Sequence, residues 1–480
     1  MENPPPRGSV AGIALVGTPG SDSSAGETLS TPGPADLIAF DSTICPLAFL
    51  GDLIRRYGDV VRYRTRFGVS LLFVHPEHVR TILHSENFRR ASLIKMMIGD
   101  GLLASDGPRW RSQRRLMQPD FVPARMSPMV AIMNRETSRT AEDWRKTAHS
   151  HQALDITEAM TRLTLRIIVD ALFSNDLSGD GATELCAAIT RTIRDLGQIA
   201  WTAFGAPVQI TPQRNASFIA GKHVIDAVCY DMISRRRAQA ANDRPRDLLT
   251  LLIEASSDGG PMADVQIRDE LVTMLVGGHE TTALALAWTW KALAEHPDIE
   301  AQLHHEVDAL LPDGIPLLDN LPDLTWTRSV FQEGMRLYPP VWHMARVAVE
   351  DDIVHRHAIP RGACVLLSAW FTHRHPDFWR EPERFDPARF SNLASPLPHR
   401  YAYFPFGDGR HQCLGMNFAL IEGVVILARL ARQFRVRPIP GQLIQPAPGI
   451  TLRQSPAMRA HLEERTQLRA APGSNPSETV

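Results

Sequence analysis

The sequence predicts a mainly α-helical fold with small peripheral β-sheets. Long apolar-periodic runs carry the first half of that reading: Asp155 to Phe173, Asn215 to Arg237, Val265 to Glu295, Ile299 to Leu311 and Met416 to Phe434. Short strand-like runs carry the second. They occur early ("VVRYRTRF", "VSLLFVH") and late ("GACVLLSAW", "ITLRQS"). No strand–helix alternation runs through the chain, which argues against a doubly wound sheet.

The ends come first. Residues 1–35 and 465–480 are rich in Pro, Gly and Ser and read as disordered tails, leaving 36–464 as one folded domain. The early segment "GTPGSDSSAGET" lacks the Gly-Lys-Ser/Thr ending of a phosphate loop. The apolar stretch Val10 to Val16 is too short for a signal peptide, and no segment is apolar for long enough to span a bilayer. We therefore expect no membrane anchor and a cytoplasmic location. Of 480 residues, 44% are hydrophobic and 22% charged, and the net charge of −2 gives no basic excess for nucleic acid. The five cysteines, Cys45, Cys186, Cys229, Cys364 and Cys413, are far apart and form no CxxC or zinc spacing.

After the early strands, "GPRWRSQRRLMQPDF" places Trp110 and Arg114 at i and i+4 on one helix face. Indole N–H and guanidinium are both donors, suited to a carboxylate. A surface helix with snorkelling arginines has the same pattern.

The run Asp269 to Pro297 is apolar nearly all round and should be buried, but its centre breaks the pattern. Gly277 and Gly278 each cost about 1 kcal/mol against Ala in a helix. Four polar residues follow, His279, Glu280, Thr281 and Thr282. "HETTA" begins like a zinc-protease motif, but Ala283 stands where the second histidine belongs. The Thr281 hydroxyl can bond back to the Gly277 carbonyl, and the glycines let the backbone bulge. The bulge opens a groove for a flat ligand, with an acid and an alcohol side by side to relay protons.

"FQEGMRLYPP" sets Glu333 and Arg336 one turn apart at a buried helix end, and "PERF" offers Arg384 as a third charge. Arg346 follows on an expected strand. Last comes "FPFGDGRHQCLG", Phe404 to Gly415, with Cys413 in a glycine-rich, electropositive loop just before a helix. A chance buried cysteine and a thiolate held for a metal both fit that loop on its own.

Taken together and in order, "WRSQR", "GGHETT", "EGMR", "PERF" and "FGDGRHQCLG" resemble the cytochrome P-450 superfamily of haem-thiolate monooxygenases, of the soluble bacterial type. The resemblance implies that Cys413 is the proximal ligand to the iron of haem b (iron-protoporphyrin IX). It implies propionate contacts for Trp110, Arg114, Arg346 and His411, an aromatic beside the thiolate in Phe406, and a cofactor-facing Gly277. Glu333, Arg336 and Arg384 match a structural salt-bridge triad. Glu280 and Thr281 match the acid–alcohol pair of oxygen activation. A thiolate ligand favours O–O cleavage, and the helix N-terminus after the loop should depress the Cys413 pKa.

The implied activity is O2-dependent hydroxylation or epoxidation of a lipophilic small molecule (terpenoid, fatty acid or polyketide). Electrons would come from a separate ferredoxin or flavodoxin with its NAD(P)H reductase, and the chain would act as a monomer. A peroxygenase or isomerase, and a haem-based sensor, are the alternatives. The intact Glu280–Thr281 pair favours O2 chemistry. Ile94, Met96, Met97, Ile98, Trp201, Phe204, Trp342 and Met344 would line the substrate pocket or simply pack the core.

Overall fold

The computed structural model describes residues 31–34, 45–65, 68–91, 93–174, 179–203, 215–257, 260–391, 397 and 399–465. The architecture is mainly helical with small sheets, as the hydrophobic periodicity requires. Ile156–Phe173 starts where Asp155 accepts a hydrogen bond from the Glu158 N–H at 2.8 Å. It stops at Ser174, whose φ of 51° is left-handed.

The longest apolar run folds as three consecutive pieces. Asp264–Leu275 is α-helical, Val276–Glu280 is a π-turn, and Thr281–Glu295 resumes the α-helix. Residues Thr282 to Leu293 are buried throughout, so this element is the core axis. It packs against Ile156–Phe173 and Thr325–Leu337. Gly278 permits the first of these contacts, because a Cβ there would meet Ile168 Cδ1 at 2.7 Å.

A five-stranded mixed sheet has the order Val60–Thr65, Gly68–Phe73, Cys364–Leu367, Met344–Ala348, Phe88–Arg90. Cys364–Leu367 runs parallel to Gly68–Phe73, and the other pairings are antiparallel. Its last pair sets Arg90 directly opposite Arg346. Like charges in that register repel.

Of the expected tails only residues 31–34 and 465 are among the described residues. Pro32 accepts a hydrogen bond from the Arg62 N–H at 2.9 Å, and Arg465 pairs with Asp308 at 2.6 Å. A proline-rich or charged end joins the fold when the sheet or a helix offers it partners. Among the described residues, no helix is long and apolar enough to cross a membrane.

Candidate functional site

The loop from Phe404 to Gly415 is built by hydrogen bonds that hold Cys413 at its inner end. The Phe404 N–H donates to His373 Nε2 at 3.0 Å, and the Cys413 N–H donates to the Phe406 carbonyl at 2.9 Å. Gly409 has a φ of 66°, and a Cβ there would lie 2.5 Å from the Leu83 carbonyl oxygen. The helix Met416–Gln433 starts three residues after Cys413. Cys413 is exposed, yet the protein around it pushes its thiol pKa up.

Burial raises the Cys413 pKa, while the Gly415 N–H and the Arg114 and Arg90 guanidiniums act in the opposite direction. Without the charge of an iron the thiol stays raised, because desolvation outweighs these groups. A metal cation is what would make this sulfur a thiolate. Burial also pushes Cys186 and Cys364 up to about 11 and Cys229 up to about 12, which leaves them inert.

Beside the loop lies a cluster of cations. Arg114 Nη1 donates to the Gln412 carbonyl at 2.8 Å. Arg90 Nη2 donates to His411 Nδ1 at 2.5 Å, and His411 Nε2 meets Asp106 at 2.9 Å. The Trp110 and His411 rings lie 4.4 Å apart. Arg346 is 9% exposed, and its Nη1 donates to the Ala345 carbonyl at 2.9 Å. Burial, then the Arg346 charge, pushes Arg90 down to about 10. Trp110 Nε1 is buried without a hydrogen-bond partner.

This set fits haem. It offers an orphaned indole donor and convergent guanidiniums, which two propionate groups would satisfy. His411 has both ring nitrogens engaged and braces Arg90. Phe406 is half-buried against the main core and contributes its carbonyl to the loop. Arg90 was not singled out in the sequence. It is one arginine of an Arg-Arg pair, and only the strand register places it against Arg346.

The π-turn and Thr281, the first residue of the helix after it, hold the remaining site residues, and the bulge expected from the two glycines is present. Thr281 Oγ1 donates to the Gly277 carbonyl at 2.7 Å. Gly277 is exposed inside an otherwise buried helix, and a Cβ there would meet nothing within 4 Å. A flat ligand could approach its backbone. Glu280 is 2% exposed and forms an ion pair with Arg453. Its Oε1 also accepts from Thr451 Oγ1 at 3.2 Å, while Oε2 is buried without a partner. Burial raises the Glu280 pKa and the Arg453 charge opposes that shift. Nothing in the local sequence announced Arg453, which lies 173 residues away.

The supporting charge network corrects one sequence reading. Glu333 and Arg336 are fully buried and bonded at 2.7 and 2.8 Å. Their third partner is Arg389, with Nε 3.4 Å from Glu333 Oε1, and not Arg384. The Arg384 side chain is 63% exposed and faces Glu381; only its backbone carbonyl touches Arg336, at 3.0 Å. The pattern Pro-x-Arg-Phe occurs twice, as "PERF" and "PARF", and the second copy turns its arginine inward.

Of the residues expected to line a pocket, Met97, Ile98 and Trp342 are fully buried in the core. Ile94, Met96 and Met344 keep partial exposure. Phe204 lies outside the described residues, as does the side chain of Trp201.

The cytochrome P450 family model matches residues 45–458. Cyclooctatin synthase of Streptomyces melanosporofaciens is 33% identical over 418 residues, covering 86% of this chain and 90% of the relative. Cyclooctat-9-en-7-ol 5-monooxygenase of the same organism is 31% identical over 422 residues, again covering 86% and 90%. Pentalenene oxygenase of Streptomyces avermitilis is 28% identical over 428 residues, covering 88% and 93%. A family match across nearly all of the described fold, joined to an exposed loop cysteine beside a cluster of arginines, establishes that the chain belongs to the cytochrome P450 family of haem-b monooxygenases.

Proposed function

We propose that this chain is a terpenoid monooxygenase in which Cys413 ligates the haem iron. Trp110, Arg114 and Arg346 hold the propionates, together with Arg90 braced by His411. The observation that carries the reading is the π-turn, which ends in an acid and an alcohol beside an open stretch of backbone at Gly277. Haem bound at Cys413 supplies the oxygen-activating chemistry.

The chain's own residues supply position, dryness and protons. Thr281 donates its proton to the Gly277 carbonyl, which leaves its oxygen lone pairs free to accept from a group in the cavity. Glu280 Oε2 has no protein partner and can take up a proton, while Arg453 and Thr451 hold Oε1 in place. Arg453, 18% exposed, stands between that carboxylate and solvent. The apolar residues around the turn, Met274, Leu275 and Leu284, keep other water out.

The relatives' names specify cyclooctat-9-en-7-ol and pentalenene. That favours a terpenoid over a fatty acid or polyketide. Electrons would come from a separate ferredoxin or flavodoxin, drawn to the exposed Arg109, Arg111 and Arg115. Optical titration of the holoprotein with terpenoids, fatty acids and polyketides tests the substrate class. Low-to-high-spin shifts are expected with terpenoids, and a response confined to fatty acids would refute it. The ligand assignment is tested separately by the carbon monoxide spectrum of the reduced protein, which should show the thiolate-type Soret band.

A further inference from the structure

The π-turn interrupts the carbonyl bonding of the core helix, and side chains make up the difference. In an α-helix the carbonyl of residue i accepts from the N–H of residue i+4, whereas in a π-turn the bonds reach to i+5. Of the five carbonyls from Leu275 to His279, four accept from a side chain. Leu275 accepts from His279 Nδ1 at 2.7 Å, Gly277 from Thr281 Oγ1 at 2.7 Å, Gly278 from Thr282 Oγ1 at 3.5 Å and His279 from Thr164 Oγ1 at 2.9 Å. Thr164 belongs to the neighbouring helix Ile156–Phe173. Its single hydroxyl hydrogen has three carbonyls in reach, and that of His279 is nearer than those of Met160 and Thr161, at 3.0 and 3.3 Å.

His279 was one of four polar residues that interrupt the apolar run, and proton handling by Glu280 and Thr281 leaves it without a part. A carbonyl only accepts, so His279 Nδ1 carries the hydrogen of the bond to Leu275. His296 makes the same bond to the Ala292 carbonyl at 2.7 Å, just past the end of Thr281–Glu295, where the α-helical series also stops. Stability alone does not favour a histidine at 279. It is fully buried, and the residues before the glycines, Met274, Leu275 and Val276, are buried and apolar. Burial holds the ring neutral, with its pKa down to about 4, and Nε2 has no hydrogen-bond partner. An imidazole buried with one nitrogen unsatisfied costs free energy that a leucine would not. The bond to Leu275 is what fixes the ring's orientation. Residue 279 is thus tied at two points, by its ring to the preceding turn and by its carbonyl to the neighbouring helix.

We propose that His279 is a positioning residue whose ring N–H holds the π-turn in shape against the Leu275 carbonyl and, with Thr164, sets where Glu280 and Thr281 stand for the reaction. The proposal rests on the reading of Glu280 and Thr281 as the proton-handling pair, and it is independent of the identity of the substrate.

The test uses the haem-loaded full chain. His279→Phe keeps a ring but removes the donor. His279→Asn keeps a donor that can reach the carbonyl four residues back, as Asn134 Nδ2 reaches Val130 at 3.0 Å. Thr164→Val removes the second tie. Two readouts are taken: amide hydrogen exchange in peptides spanning 275–283, and the infrared stretch of carbon monoxide bound to the reduced protein, with Thr281→Ala as reference. In His279→Phe, exchange in 275–283 should rise about tenfold, as loss of a buried hydrogen bond implies. The carbon monoxide band should move in the direction it takes in Thr281→Ala, while exchange in Met416–Gln433 stays unchanged. His279→Asn should return both readouts toward the parent protein. Thr164→Val should also raise exchange in 275–283, and it decides the matter if His279→Phe does not fold. Unchanged exchange in 275–283, an equal rise in Met416–Gln433, or an Asn variant no closer to the parent than the Phe variant would each overturn the proposal. A carbon monoxide band indifferent to Thr281→Ala would instead refute the reading of Thr281, and hydrogen exchange would still decide the role of His279.

Discussion

The two Pro-x-Arg-Phe arginines give the sharpest mutational contrast. Arg389 is 12% exposed and sits 3.4 Å from the fully buried Glu333 carboxylate. At an effective dielectric of about 20, that separation corresponds to roughly 5 kcal/mol of gross attraction. Desolvation of the pair removes much of it, so Arg389→Ala should cost about 1–3 kcal/mol. Arg336→Ala should cost more, at least about 3–5 kcal/mol, because it strips Glu333 of two short bonds. It also orphans the carbonyls of His373, Pro382 and Arg384, each 2.8–3.0 Å from a donor. Arg384→Ala removes only a contact to Glu381 between side chains 63% and 55% exposed. Such a pair contributes about 0–1 kcal/mol. The assay is urea unfolding of the holoprotein, followed by loss of the haem Soret band. The expected order of destabilisation is Arg384→Ala, then Arg389→Ala, then Arg336→Ala. If Arg384→Ala destabilised as much as Arg389→Ala, the inward turn of the second arginine would be refuted.

Thr281→Ala removes the hydroxyl at the π-turn and should divert reducing equivalents to hydrogen peroxide; full coupling of NAD(P)H consumption to product would argue against the relay. Arg453→Met removes the largest influence that lowers the Glu280 pKa, so the pH profile of coupling should move to higher pH, and an unmoved profile counts against Glu280 as a proton carrier. Burial holds His279 down to about 4 and His373 down to about 3, against an ordinary value of 6.5. Groups depressed in the folded state are neutral there, so their contribution is intact above pH 6.5 and is lost as pH falls through the window below it. The melting temperature should therefore drop between pH 6.5 and 4, and a flat profile over that range would contradict the burial of these rings. Removal of haem should leave Arg90, Arg114 and Arg346 repelling one another, so added salt should raise the melting temperature of the apoprotein more than that of the holoprotein.

Much of this molecule was legible in the chain for simple reasons. A helix buried on every side shows an unbroken apolar run, and two glycines before four polar residues mark where that run bulges. The cysteine loop was legible because its glycines permit turns that other residues resist. What stayed hidden depends on register or on distance. Arg90 acquires its role only because strand pairing sets it across from Arg346. Arg453 reaches Glu280 across 173 residues, a closure that no local pattern encodes. The desolvation acting on the Cys413 thiol also stayed hidden, because burial depends on the whole fold and not on the loop's own residues.

The cationic edge links the cofactor to the fold itself. Arg90 lies opposite Arg346 in a sheet, with Arg114 near enough to lower its pKa further. Asp106, which contacts His411 and the Arg90 backbone N–H, is the carboxylate the structure sets against these charges. One carboxylate against three guanidiniums, one buried and two half-buried, is an unfavourable balance, and a dianionic ligand would correct it. Two haem carboxylates bound here would complete the sheet edge as well as the active site. The same guanidinium that would receive them also holds the Leu102 and Leu103 carbonyls. A side chain with a fixed planar fork cannot shift toward one partner without changing its geometry to the others. A shift of the Arg90 fork toward a bound carboxylate would therefore also be felt at the Leu102 and Leu103 carbonyls.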